Sequence, residues 1–168
     1  WMYPFLTPHG LIMKINRNPT RLTREMIRND MDFWDWYARK LTSDRKFLRD
    51  VVARKSFSKL RSAIGGLYAN RRRMDTAETA FHEALMLYPL SPEANFRLVQ
   101  EVLMPMQKFD EAEDVMEDLG ARDPGNEKIQ QFLKQLSGIE NMHQRMKDLE
   151  AQMAKGQLQA NQALELAT

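Results

Sequence analysis

Eight positions between Ser58 and Pro89 constrain this chain more than any others: Arg61, Ile64, Gly65, Tyr68, Ala77, Phe81, Ala84 and Pro89. Their offsets suit two successive helices folded against each other. Gly65 and Ala77 are small, so two antiparallel helices can approach closely, while Tyr68 and Phe81 fill the space beside the contact. Pro89 ends the second helix, because its ring cannot follow a preceding helical turn. A hairpin of this kind presents a surface and supplies no reactive group.

A second copy follows the first. Asn95, Leu98, Val99 and Val102 occupy the first-helix places, and Ala112, Met116, Leu119 and Pro124 answer Ala77, Phe81, Ala84 and Pro89, each 35 residues on. The pattern resembles the tetratricopeptide repeat, a unit of roughly 34 residues with Leu-Gly, Tyr, Ala, Phe, Ala and Pro at these offsets. Only Arg61 departs, standing where Trp is usual. One extra residue in the second copy must be absorbed, and the Met104-Pro105-Met106 turn is the expected place. A third unit would open near Glu127 with Leu133 at its Leu position, but Met146 and Glu150 stand where Ala and Phe belong. Two repeats and a capping helix are therefore expected, since terminal units of such arrays are atypical.

At 168 residues, 43 % hydrophobic and 29 % charged, the chain has the composition of a soluble protein. No apolar run approaches the roughly 18 residues of a membrane span, and the opening WMYPFL stretch lacks the basic start of a secretory leader. A chain that opens on Trp1 reads as a piece of a longer parent. Cysteine is absent, which excludes disulfides and thiolate metal sites. The net charge of +2 conceals a division: residues 1–73 hold 17 Lys/Arg against 6 Asp/Glu, and residues 74–168 hold 8 against 17. Two solvated halves of one fold would account for this, and so would a basic half that faces an anionic partner.

Three segments emerge. Residues 1–57 comprise an irregular aromatic arm, with no strand expected, and two basic helices, Leu22–Leu41 and Asp44–Lys55. Residues 58–137 hold the repeat helices at about 58–70, 75–88, 92–104 and 109–121 and a cap at about 126–137. Thr23, Asp44, Asp75, Ser91 and Asp110 stand where N-caps belong. Residues 138–168 carry Ile139, Met142, Met146, Leu149 and Met153 at alternating spacings of three and four, continued by Ala160 and Ala163. This heptad stripe reads either as one amphipathic helix lying along the repeats or as the seam of a short coiled coil that makes a homodimer. The expected fold is thus all-α: a helical-hairpin repeat array with extra N-terminal helices and a C-terminal helix.

Chemistry is hard to place on this chain. His9, His82 and His143 lack ligand-like spacing, and the acidic clusters Asp30/Asp32/Asp35 and Glu111/Glu113/Asp114 read as solvated helix faces. No nucleophile has a partnered base, so no catalytic residue, cofactor or metal ligand is expected. Arg71-Arg72-Arg73 and the basic residues before it make a cationic surface, but two repeats are too few for a one-base-per-repeat code. Specific nucleic-acid binding is disfavoured. Binding of a protein or peptide is what such a hairpin array does well, in a concave groove lined by its first helices. The exposed groove candidates are Lys59, Ser62, Gly66, Asn70, Arg97, Gln100 and Lys128. Some relatives of the repeat grip a C-terminal carboxylate with Lys, Asn and Arg, but Ser62 and Gly66 stand where the Lys and Asn would be.

A second resemblance rests on Trp1-Met2-Tyr3-Pro4, on Pro8 to Arg17 (PHGLIMKINR), on Phe33-Trp34-Asp35-Trp36-Tyr37 and on Lys55 to Arg61 (KSFSKLR). These segments are similar to a stretch downstream of the membrane spans in bacterial multi-spanning proteins related to protein O-mannosyltransferases. The resemblance covers residues 1 to about 137 and implies a parent that transfers sugar from a lipid-linked donor to protein. Catalytic residues of such a parent would lie in its membrane portion, so none is carried over. The implied location is membrane association through an upstream region, with a free-standing cytoplasmic adaptor as the other reading. An anionic membrane surface near residues 1–57 is a candidate partner on either account.

Overall fold

The Phe81 ring packs against Gly65, and that contact sets how closely the two helices of the first hairpin approach. In the computed structural model, which describes the backbone of residues 2–165 and the side chains of residues 2–155, Tyr68, Ala77, Phe81 and Ala84 are all fully buried. A Cβ added to Gly65 would lie 3.1 Å from the Phe81 ring, so glycine is what allows the ring to seat. The described residues are mostly helical, and the chain divides into two units, Trp1–Gly125 and Asn126–Thr168.

The first unit opens with a 3-10 turn (Tyr3–Phe5) and two short antiparallel strands, β1 (Leu6–His9) and β2 (Ile12–Ile15). No strand is expected from the Pro- and Gly-rich sequence here, so the hairpin corrects that reading. Its ladder pairs Leu6 with Ile15 and His9 with Ile12, and Gly10 turns the corner at φ +64°, a conformation glycine adopts without strain. Pro8 is tolerated because a two-stranded sheet consists only of edges. Asn16 closes the base: its backbone N–H and its side-chain amide both donate to the Phe5 carbonyl, at 2.8 and 3.0 Å.

Six helices follow: α1 (Arg24–Ser43), α2 (Arg45–Arg49), α3 (Val51–Asn70), α4 (Met74–Leu87), α5 (Pro92–Leu98) and α6 (Phe109–Arg122). Thr23, Asp44 and Ser91 cap α1, α2 and α5 as their sequence positions imply. The basic helix expected over Asp44–Lys55 is instead two pieces. Asp50 ends α2 and accepts from the Ala53 N–H at 2.9 Å, so Val51–Lys55 become the start of α3. Asp75 and Asp110 are not caps; α4 and α6 begin one residue earlier, and both carboxylates lie in the first turn, where the helix dipole favours negative charge.

Two hairpins, α3–α4 and α5–α6, repeat one turn. In the first, Arg73 N–H donates to Tyr68 O and Arg72 N–H to Ala69 O, with Arg72 at φ 57°. In the second, Lys108 N–H donates to Leu103 O and Gln107 N–H to Met104 O, with Gln107 at φ 59°. Both are Schellman closures with a left-handed residue after the helix, offset by 35 residues. The extra residue is therefore not in the Met104–Met106 turn. It sits upstream in a π-turn, Val99–Leu103, where Met104 N–H reaches back five residues to Val99 O at 2.9 Å. The Schellman turn has a fixed hydrogen-bond pattern with no room for an insertion, whereas a helix absorbs one residue by widening a single turn.

The second unit is described from one helix, α7 (Glu127–Glu165). A cap ending near 137 and a separate helix after Gly138 were expected, but the helix runs through Gly138 unbroken. Nothing lies within 4 Å of a Cβ added there, so the glycine serves no close approach. The expectations for Trp1, Ala160 and Ala163 concern side chains outside the described residues.

Gly65→Val should therefore overpack the Phe81 contact and destabilise the first unit by about 2–3 kcal/mol, read as a lower urea midpoint. Gly138→Ala should leave that midpoint unchanged or raise it.

Candidate functional site

Arg61, the one residue that departs from the repeat pattern, is wholly buried. A charge in the interior must be paired and hydrogen-bonded, and α1 supplies the means. Arg61 Nη1 bonds Asp30 Oδ2 at 2.8 Å, Nε bonds Glu83 Oε2 at 2.6 Å, and Nη2 contacts Met31 Sδ at 3.1 Å. The guanidinium carbon stands 5.2 Å from the Trp34 ring centroid. Tyr68 completes the cluster by donating its hydroxyl to Asp30 Oδ2 at 2.7 Å. Asp30, read from sequence as part of a solvated acidic face, is only 4 % exposed. Sequence periodicity could have flagged it, since Asp30, Trp34 and Ala38 recur at intervals of four along the buried side of α1.

Burial pushes the Glu83 carboxyl above its ordinary value of 4.5, and Arg61 offsets that only in part. Burial, with Asp30 beside it, also drives the Tyr68 hydroxyl upward. One guanidinium is thus shared between two carboxylates and enclosed by rings. The arrangement welds α1 to α3 and α4 and leaves Arg61 no face for a substrate.

The groove lies over α3 and α5. Lys59, Asn70 and Gln100 are exposed, as the sequence implies, but Ser62 and Gly66 are buried, which corrects the reading of both as exposed groove residues. Arg97 explains the difference. Its guanidinium lies over Gly66, where a Cβ would collide with it, and Nη1 donates to the Ser62 carbonyl at 3.2 Å. Nε and Nη2 bond the two Glu101 carboxylate oxygens at 2.8 and 3.2 Å, and the group stands 5.6 Å from the Phe81 ring centroid. Arg97 therefore fastens α5 to α3, and the carboxylate clamp seen in some hairpin repeats has no counterpart on Ser62 and Gly66. Lys128 is exposed on α7, in the second unit.

Two residues of the groove were not found from sequence, Glu101 and Tyr3. Tyr3 lines two clefts. One, of about 310 Å³, is also lined by Met2, Leu6, Met13, Ala63 and Arg97; the other, of about 280 Å³, by Gly66, Asn70, Arg72, Glu101 and Pro105. Arg71 ties the arm in place, donating through Nη2 to the Tyr3 carbonyl at 2.7 Å and the Thr20 carbonyl at 3.1 Å. The N-terminal arm packs on the helices, as its apolar content implies, and in doing so forms one wall of the groove.

On α7, Ile139, Met142, Met146, Leu149 and Met153 are all exposed, from 39 % to 66 %. Among the described residues no three His, Cys, Asp or Glu side chains group as a metal site, and no helix is long and apolar enough to cross a membrane. Compared with protein-family models the chain matches none, and comparison with curated proteins likewise yields no match.

Removing Arg61 alone should be costly, because it strands two carboxylates. Arg61→Met is expected to lose about 3–5 kcal/mol, and Arg61→Met/Asp30→Asn/Glu83→Gln to recover most of that. A Glu83 that holds its proton more tightly folded than unfolded contributes most below about pH 4.5 and loses that contribution as pH rises through the folded pKa. Glu83→Gln should accordingly gain stability relative to the parent between acidic and neutral pH in parallel denaturant titrations. An unchanged difference would exclude this origin.

Proposed function

We propose that residues 58–124 are two tetratricopeptide-type hairpins and that the chain is a non-catalytic protein-binding and scaffolding domain. The observation that carries this reading is the 35-residue recurrence of one turn geometry, with Gly65 seated on the Phe81 ring in the first hairpin. A partner segment would cross the face of α3 and α5. Its side chains would enter the two clefts walled by Tyr3, and Asn70, Gln100 and Glu101 would meet its backbone. On the resemblance to the tails of mannosyltransferase-related membrane proteins, the domain would hold an acceptor or partner subunit near the membrane. Tethering of that kind raises effective concentration without adding a contact to the chemistry.

Peptides selected from a displayed library against the whole chain should lose about tenfold or more in affinity with Asn70→Ala or Glu101→Ala. Selected peptides that bind both variants as tightly as the parent would sink the groove.

A second reading has its own observation, the exposed stripe on α7. With Ile139, Met146 and Met153 at one core position and Met142 and Leu149 at the other, Arg145 and Glu150 take the flanking places. In a parallel pair Arg145 of one copy then faces Glu150 of the next. Purely structural dimerisation predicts a sedimentation mass that rises with concentration and reverts to the monomer in Met146→Lys/Leu149→Lys. A monomer at every concentration tested would end it.

A further inference from the structure

We infer that the corner between α2 and α3 is a docking surface for an anionic lipid bilayer. The corner is built by two consecutive caps. Asp44 accepts from Lys46 N–H at 2.8 Å to start α2, and Asp50 accepts from Ala53 N–H at 2.9 Å to start α3. Both acids of the segment are thereby turned to backbone donors. One turn of helix separates them, and within it Phe47 is buried, its ring 5.8 Å from that of Phe57. Successive helical residues point about 100° apart, so anchoring Phe47 sends Leu48 outward.

What faces solvent is a mixture of aliphatic groups and cations. Leu48 is 44 % exposed, Val51 48 % and Val52 75 %, three large hydrophobes within five residues of chain. Arg45, Lys46 and Arg49 lie within the same eight residues of chain, are themselves exposed, and form no ion pair among the described residues. Farther along α3, Arg54 and Lys55 are held over the Tyr88 ring, so they belong to the packing with α4 and not to the corner.

Water solvates the cations and not the aliphatics, and nucleic acid would pair with the cations alone. An anionic bilayer satisfies both at once: headgroups meet Arg45, Lys46 and Arg49, and the acyl boundary takes Leu48, Val51 and Val52. The surface is independent of the groove over α3 and α5 and stands or falls without it.

The whole chain is to be sedimented with phosphatidylcholine vesicles, with and without phosphatidylserine. It should partition onto the phosphatidylserine vesicles and dissociate as salt is raised. Arg45→Gln/Lys46→Gln/Arg49→Gln should lower the partition coefficient on the order of a hundredfold, at roughly fivefold per charge. Leu48→Ser/Val51→Ser/Val52→Ser should lower it about tenfold or more. Neither variant touches a buried side chain, and both should keep the parent's thermal midpoint, which verifies folding. Three results would overturn the inference: no preference for phosphatidylserine, a serine variant that binds like the parent, or an oligonucleotide bound as tightly with dependence on the three cations alone.

Discussion

One guanidinium holds the front of this molecule together. Arg61 reaches Asp30 on α1 and Glu83 on α4 from its own position on α3, in a site closed to water. Because an unpaired charge there is so unfavourable, the three helices have few alternative arrangements. The consequence extends beyond the cluster. With α1 held against the hairpin, Trp34 is placed to donate its indole N–H to the Gly10 carbonyl at 3.1 Å, which fixes the strand pair. The arm is then led back to α3, where Arg71 holds it. A single buried ion cluster thus determines where the wall of the groove stands.

Arg97 does for the second hairpin what Arg61 does for the first, in a wetter setting. Both guanidiniums bond carboxylates and lie near an aromatic ring; Arg61 ties α3 to α1 and α4, and Arg97 ties α5 to α3. Gly65 and Gly66, adjacent on α3, divide the work: one admits the Phe81 ring, the other the Arg97 head group. Close approach on two faces of one helix requires the absence of two side chains. The helix-propensity cost of two adjacent glycines is offset by that packing.

Much of the fold was legible because packing rules write themselves at fixed intervals. Small residues at 65 and 77, rings at 68 and 81, and caps at Thr23, Asp44 and Ser91 leave a readable trace along the chain. The strands were not legible, since four-residue ladders with a proline leave almost no periodicity. Asp30 was misread for a different reason. Charge predicts exposure unless a partner is known, and that partner lies 31 residues away, so only the four-residue spacing of Asp30 with Trp34 and Ala38 hinted at its burial. Ser62 and Gly66 were misjudged likewise, because the residue that covers them comes from the following hairpin.

The π-turn at Val99–Leu103 lets the second hairpin close by the same hydrogen bonds as the first although its leading helix absorbs one extra residue. Its widened turn is a store of slack in an otherwise rigid register. Removing one residue there would return the helix to ordinary pitch, whereas the same deletion in the middle of α3 would rotate that helix's later side chains by about 100° off their partners. The hairpin pair therefore has one place where its length is negotiable, and it follows Arg97 and includes Glu101, at the groove's own edge.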